Sequence, residues 1–173
     1  MAIVSVGALA APPKGEPVPA RQLARQAAVA APPAEVWKAW TTLEGVKTFF
    51  APDARIELKP GGAYEMYFDL AAPAGTRGGE GCTLVAIEPE TRLAFTWNFP
   101  PSLPSIRNQH TQVEIRLSPA EGGKATQVSL TQTGWKDGPD WEKGYAYFER
   151  AWSLVLSRLE ARFRTGPIDW AKE

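Results

Sequence analysis

The stretch PDWEKGYAYFERAWSLVLSRLEARF, residues 139–163, decides the fold. Its large apolar side chains fall at Trp141, Tyr145, Phe148, Trp152, Val155, Leu156, Leu159 and Phe163. Steps of three and four residues put these on one side of a helix. Asp137 and Asp140 suit the N-terminus of that helix, Arg162 and Arg164 suit its last turn, and Gly166-Pro167 ends it. At 1.5 Å per residue it is roughly 35–40 Å long. A helix with one such stripe needs an apolar surface to cover.

Working backwards from the helix, that surface is written in the preceding eighty or so residues as an alternation of period two. Thr126, Val128, Leu130 and Gln132 alternate with Gln127, Ser129 and Thr131; Thr111, Val113, Ile115 and Leu117 alternate with Gln112, Glu114 and Arg116. Leu93, Phe95, Trp97 and Phe99 form a third run, and Tyr64, Met66, Phe68 and Leu70 a fourth. Ile56 and Leu58, and the stretch from Gly81 to Ile87, complete the set. Successive strand side chains point to opposite faces, so each run has a buried side and a wet side. The connections are short and rich in Gly, Pro and Glu, as in Pro60-Gly61-Gly62 and the Gly-rich loop over 72–79. The reading is an antiparallel meander with one apolar face.

Before the meander, Leu23 to Ala30 is expected to be a first strand. Pro32-Pro33 stops it and opens a short helix carrying Val36, Trp37 and Trp40, with a second short turn through Leu43, Val46 and Phe49-Phe50. The fold class is therefore α+β, a curved antiparallel sheet wrapped around a long C-terminal helix, with short helices between strands 1 and 2. The domain is expected over residues 21–173, behind a leader over residues 1–20 that is first apolar and then Pro-rich. Ala2 to Ala11 reads either as the remnant of a secretory signal peptide or as a simple apolar leader, and cytoplasmic and exported (periplasmic) locations stay equally open. No stretch approaches the roughly 20 apolar residues of a membrane-spanning helix, so a soluble protein is expected.

Composition narrows the chemistry. Nineteen basic residues balance nineteen acidic ones, without a Lys/Arg cluster, which argues against nucleic acid as a partner. One Cys, Cys82, excludes an internal disulfide and multi-Cys metal sites, and one His, His110, excludes zinc sites built on two imidazoles. No metal and no cofactor is expected. Glu65, Asp69, Glu80 and Glu88 fall at solvent-facing positions or beside turns, where nothing raises a carboxyl pKa for acid chemistry. His110 begins a strand on its polar side, and Cys82 reads as a small buried thiol. Gly78-Gly79-Glu80-Gly81 is not a phosphate loop, because no helix follows it. Arg77 and Arg107 sit in the two longest loops, where they read either as surface arginines or as guards of a pocket entrance against or for a carboxylate.

The candidate site is the space between sheet and helix. Phe68, Trp97, Phe99, Trp135, Tyr145, Phe148 and Trp152 fall on the expected inner faces. Trp37, Phe49, Phe50 and Met66 lie nearby. So many flat side chains on both layers are hard to interdigitate without voids, and aromatics with a few polar groups are how apolar pockets are lined. Tyr145, Thr111 and Gln132 are the expected polar groups, orienting a ligand.

Several segments resemble the START-like, or SRPBCC, superfamily with its helix-grip fold. They are Ala31-Pro32-Pro33-Ala34-Glu35-Val36-Trp37 at the first strand-to-helix turn, Pro60-Gly61-Gly62-Ala63-Tyr64, Ile87-Glu88-Pro89-Glu90-Thr91-Arg92-Leu93-Ala94-Phe95-Thr96-Trp97, and Trp152, Leu156 and Leu159 of the long helix. The branch resembled is the one named for the activator of the heat-shock protein 90 ATPase, over roughly residues 21–164. The resemblance implies the fold; members include lipid and hormone carriers, cyclases and ligand sensors, so function has to be argued from the site. The sequence favours a non-catalytic module that binds a small apolar or aromatic molecule. The alternatives are an enzyme of the cyclase, dehydratase or hydrolase type, with His110 or a Tyr as acid/base, and a co-chaperone-like protein-interaction domain.

Overall fold

The computed structural model describes residues 20–173; residues 1–19 of the expected leader lie outside the described residues. Strand β1 (Leu23–Val29) leads through Pro32 into α1 (Pro33–Thr41). Pro33 occupies the first turn of α1, where a missing N–H has no partner to lose. The Thr42 hydroxyl then accepts a hydrogen bond from the Gly45 amide and caps the single turn of α2 (Leu43–Val46).

A five-stranded antiparallel sheet follows in the order β1-β7-β6-β5-β4, with β4 Leu84–Glu88, β5 Arg92–Trp97, β6 Thr111–Ala120 and β7 Ala125–Thr133. Strands β2 (Asp53–Ile56) and β3 (Tyr64–Tyr67) form a two-stranded ladder, joined to the rest by bridges from Ala63 to Thr83 and from Tyr67 to Gly78. Register brings Leu23, Gln132, Val113 and Phe95 into one cross-strand row, all fully buried. On β7 the buried residues are Thr126, Val128, Leu130 and Gln132, the set that alternation selects.

Helix α3 (Pro139–Thr165) covers this face. Its 27 residues make it about 40 Å long. Asp140 and Glu142 occupy its first turn and Arg162 and Arg164 its last, before Gly166 at φ 110°. The buried stripe is Trp141, Phe148, Trp152, Val155, Leu156 and Leu159, and burying each such side chain contributes roughly 1.5–3 kcal/mol. Toward its C-terminal half the helix reaches the sheet edge, where Glu160 accepts from the Ala28 amide of β1. The arrangement is the helix-grip fold, α+β in class. Among the described residues no helix is long and apolar enough to cross a membrane.

Three strands stop earlier than the alternation suggests. β2 ends at Ile56, and Leu58 is 48% exposed. β3 ends at Tyr67, because Asp69 turns the chain by accepting from the amides of Ala71 and Ala72, so Phe68 and Leu70 leave the sheet and are 45% and 53% exposed. β5 ends at Trp97, yet Phe99 stays buried against α3. That contact is possible because position 144 is glycine. A Cβ there would stand 2.5 Å from Cε1 of Phe99.

Candidate functional site, an aromatic cleft between sheet and helix

The expected aromatic residues divide into three groups in space. The first packs α1 and α2 onto the sheet: Trp40 lies edge-on to Phe49 and Phe50, at centroid distances of 4.9 and 5.6 Å, and the Tyr64 hydroxyl donates to the Trp40 carbonyl. Phe49 and Met66 are completely buried in this group, and Trp37 is half-buried at its edge. The second fills the N-terminal end of α3, where Trp135 packs on Tyr145 at 4.9 Å and Phe99 on Trp141 at 4.9 Å. The third is Phe50, Trp97 and Trp152, with mutual distances of 5.5–5.9 Å, joined by Phe148, which stacks on Trp152 at 6.1 Å.

This third group floors an open cleft of about 440 Å³ between the end of β5 and α3. Of the residues expected to line a cavity, Phe50, Phe68, Trp97, Phe99, Phe148 and Trp152 meet there. Phe68 is an exposed residue of the cleft lining rather than an inner-face strand residue, and Tyr147 and Leu154 are the other exposed large apolar side chains of that lining. Trp37, Phe49, Met66 and Trp135 are packing residues away from the cleft, because each is covered by its own aromatic or apolar neighbours.

The polar groups expected to orient a ligand are placed differently. Trp152 Nε1 donates to Gln132 Oε1 at 2.7 Å, Gln132 Nε2 donates to the Thr111 hydroxyl at 2.8 Å, and that hydroxyl donates to the Trp97 carbonyl at 3.2 Å. Thr111 and Gln132 are buried and do not line the cleft, and their hydrogen bonds instead hold the two tryptophans of the floor. Tyr145 turns outward: its hydroxyl donates to the Gln22 carbonyl and the Arg21 guanidinium stacks on its ring at 3.6 Å.

The polar lining comes instead from loops and from the flank of α3: Asp69, Thr76, Arg77, Asn98, Arg107 and Arg158. Arg107 was legible as a loop arginine, but its burial was not; it is 8% exposed. Its Nη1 donates to the Phe99 carbonyl and its Nη2 to the Gly75 carbonyl at 2.9 Å, while Nε, also buried, has no hydrogen-bond partner. Tyr147, Ala151, Leu154 and Arg158 recur on α3 at steps of four, three and four, a second stripe beside the core stripe. That spacing is the signal that would have found the cleft wall.

Two carboxylates expected on a solvated face are half-buried and structural. Glu80 accepts from the amides of Gly75, Arg77 and Gly78, so the Gly-rich loop directs its own N–H groups at its own carboxylate. Glu65 accepts from the Gly81 amide and from the Tyr67 hydroxyl, whose pKa burial pushes up to about 12. Asp69 and Glu88 are exposed, as is His110. Cys82 is 1% exposed, and burial pushes its thiol up to about 12, far from thiolate chemistry at neutral pH. Among the described residues no group of His, Cys, Asp and Glu is arranged to hold a metal ion.

No curated protein matches the chain significantly. Solved structures do. A protein from Mesorhizobium loti superposes with a TM-score of 0.65 at 22% identity, covering 86% of this chain and 100% of its own. The Aha1 dimer of Colwellia psychrerythraea gives 0.64 at 20% identity, covering 84% and 98%. An AHSA1-like protein from Rhizobium etli gives 0.60 at 25% identity, covering 87% and 86%. At these identities the likeness is one of fold. The family model described as "Activator of Hsp90 ATPase homolog 1-like protein" matches residues 30–164, from the turn before α1 to the end of α3, and the chain belongs to that family.

Proposed function

We propose that this protein is a non-catalytic binding module that holds a small apolar or aromatic molecule in the cleft between its sheet and α3. One observation carries the reading. Phe50, Trp97 and Trp152 present a preformed aromatic floor beneath an open mouth, and their positions are held by ring packing and by the Gln132–Thr111 network. Such a floor binds flat or aliphatic molecules by burying area without first reorganising. The lining supports the same reading: it includes Phe68, Tyr147 and Leu154, which are 45%, 40% and 50% exposed, apolar surface that a ligand would cover.

The catalytic alternative would rest on Tyr147, the phenol of the lining. Burial raises its pKa despite the opposing influence of Arg107, which keeps it a hydrogen-bond donor and not a base at neutral pH. Binding is the reading this favours.

The test uses 1-anilinonaphthalene, a neutral dye that brightens in apolar sites. It is expected to bind with blue-shifted emission and to quench tryptophan fluorescence. Y147A and L154A remove exposed side chains, so both variants should melt within a few degrees of the wild type while binding the dye several-fold more weakly. No dye binding to the wild type, or unchanged affinity in both variants, would refute the cleft as the site. Native mass spectrometry of gently purified protein then identifies the class of any molecule carried along.

A further inference from the structure

The rim of the cleft carries more uncommitted donors than acceptors. Asn98 Nδ2 is spent on the carbonyls of Gly78 and Glu80, and the Thr76 hydroxyl on the Pro73 carbonyl. Arg158 is paired with Glu173 at 2.5 Å and lies over the Trp170 ring. The single acid of the lining, Asp69, already accepts two amides at one oxygen. Two guanidinium groups remain. Arg77 donates from Nε to the Ala72 carbonyl, and among the described residues its terminal nitrogens have no hydrogen bond or ion pair. Arg107, nine-tenths buried, has an unpartnered Nε. Its nearest carboxylate, Glu80 at 3.9 Å, is beyond hydrogen-bond reach, and both oxygens of that carboxylate already take backbone amides.

We infer that the molecule this cleft takes is an organic acid: an apolar or aromatic body on the Phe50, Trp97 and Trp152 floor, with a carboxylate met by Arg77 and Arg107. The inference rests on the reading of the cleft as a ligand site and adds its chemical class. A carboxylate supplies two oxygens in the plane a guanidinium fork addresses, and its bonds to the fork are charge-assisted. Arg107 is nine-tenths buried, and an ion pair at a buried group is screened less than one at the surface. A neutral ligand of the same shape would leave those donors without acceptors. The rest of the lining is chiefly apolar, which favours a ligand with one acidic group over a polyanion.

The isosteric pair 2-naphthoate and 2-naphthamide, titrated calorimetrically at low ionic strength and neutral pH, separates the outcomes. The acid should bind at least about tenfold more tightly than the amide. R77Q should reduce that preference several-fold while leaving the amide unchanged, and R107Q should abolish it. Arg107 also holds the Gly75 and Phe99 carbonyls, so R107Q is to be checked by thermal melting; if it does not fold, R77Q and the loss of preference in high salt decide. Equal binding of acid and amide would overturn the inference and leave the apolar cleft standing. A preference unchanged in R77Q and in folded R107Q would overturn it too. Failure of both naphthalenes and of neutral 1-anilinonaphthalene would instead remove the cleft reading, and this inference with it.

Discussion

Trp152 and Gln132 are twenty residues apart in sequence and joined by a hydrogen bond of 2.7 Å in the core, from the indole Nε1 of α3 to the side-chain carbonyl of β7. The contact ties the helix to the sheet at the floor of the cleft. Gln132 is wholly buried, and its amide nitrogen in turn holds Thr111. A polar side chain at the centre of an apolar face is tolerated because each of its partners is satisfied.

Gln132→Ala breaks this network from the middle. It strands the Trp152 indole N–H and opens space beneath it, so the expected loss is roughly 3 kcal/mol in chemical denaturation. An apolar probe should also bind more weakly, because the Trp152 ring is no longer held. A loss below about 0.5 kcal/mol would mean that the two tryptophans are fixed by ring packing alone.

Gly144→Ala tests the contact between α3 and Phe99. Alanine is the better helix former by about 1 kcal/mol, so an unconstrained site would gain stability. Here the new methyl meets Phe99 at 2.5 Å, and overpacking of a buried ring costs about 1–3 kcal/mol. The net outcome expected is a melting temperature several degrees lower, read by circular dichroism; a rise would show that Phe99 is free to move away.

Glu80→Gln exchanges a carboxylate that accepts three backbone amides for a group with one acceptor oxygen. Hydrogen exchange should accelerate at the amides of Gly75, Arg77 and Gly78, while amides of β6 and β7 keep wild-type protection. The loop borders the cleft, so a loosened clasp should also speed the escape of a bound dye. Unchanged exchange at the three amides would refute the clasp.

Glu114 makes stability depend on pH. Arg92 and Arg116 face each other across β5 and β6, and Glu114 accepts from Nε of both, at 2.7 and 2.5 Å. Burial alone would raise its pKa, but those hydrogen bonds outweigh it and hold the carboxyl below the usual range. A carboxyl depressed in the folded state contributes stability above its unfolded pKa of about 4.3, and loses it as the pH falls further. Glu114→Gln should therefore be less stable than the wild type at pH 7 by up to about 1 kcal/mol. The difference should shrink progressively below about pH 4, as acid removes the contribution from the wild type as well. A constant difference across that range would exclude Glu114 as the group responsible.

Much of the fold can be read from local pattern. The stripe from Trp141 to Leu159 specifies α3, Pro33 and Thr42 mark the short helices, and the alternation over Thr111–Leu117 and Thr126–Gln132 specifies the two central strands. The alternation through Phe68 and Leu70 misleads, because a turn closed by Asp69 through its side chain outranks two apolar residues at strand spacing. Of the six aromatics that meet at the cleft, five were expected on inner faces and Phe50 nearby; Phe68 reaches the cleft from outside the sheet, and nothing local separates the others from Trp135 or Phe49, which have the same chemistry and are simply packed.

What the sequence by itself determined is the architecture: periodicities of two and of three to four residues, with their caps and turns, decide which elements form and which faces must meet. Only the tertiary structure decided what the polar residues do. Gln132 bonds Trp152 across twenty positions, Thr111 across twenty-one, and Arg107 reaches Gly75 across thirty-two. Whether a polar group is spent inside the protein or left for a ligand depends on what stands within about 3 Å of it. That distance is set by how sheet, loops and helix pack together, and no spacing along the chain records it.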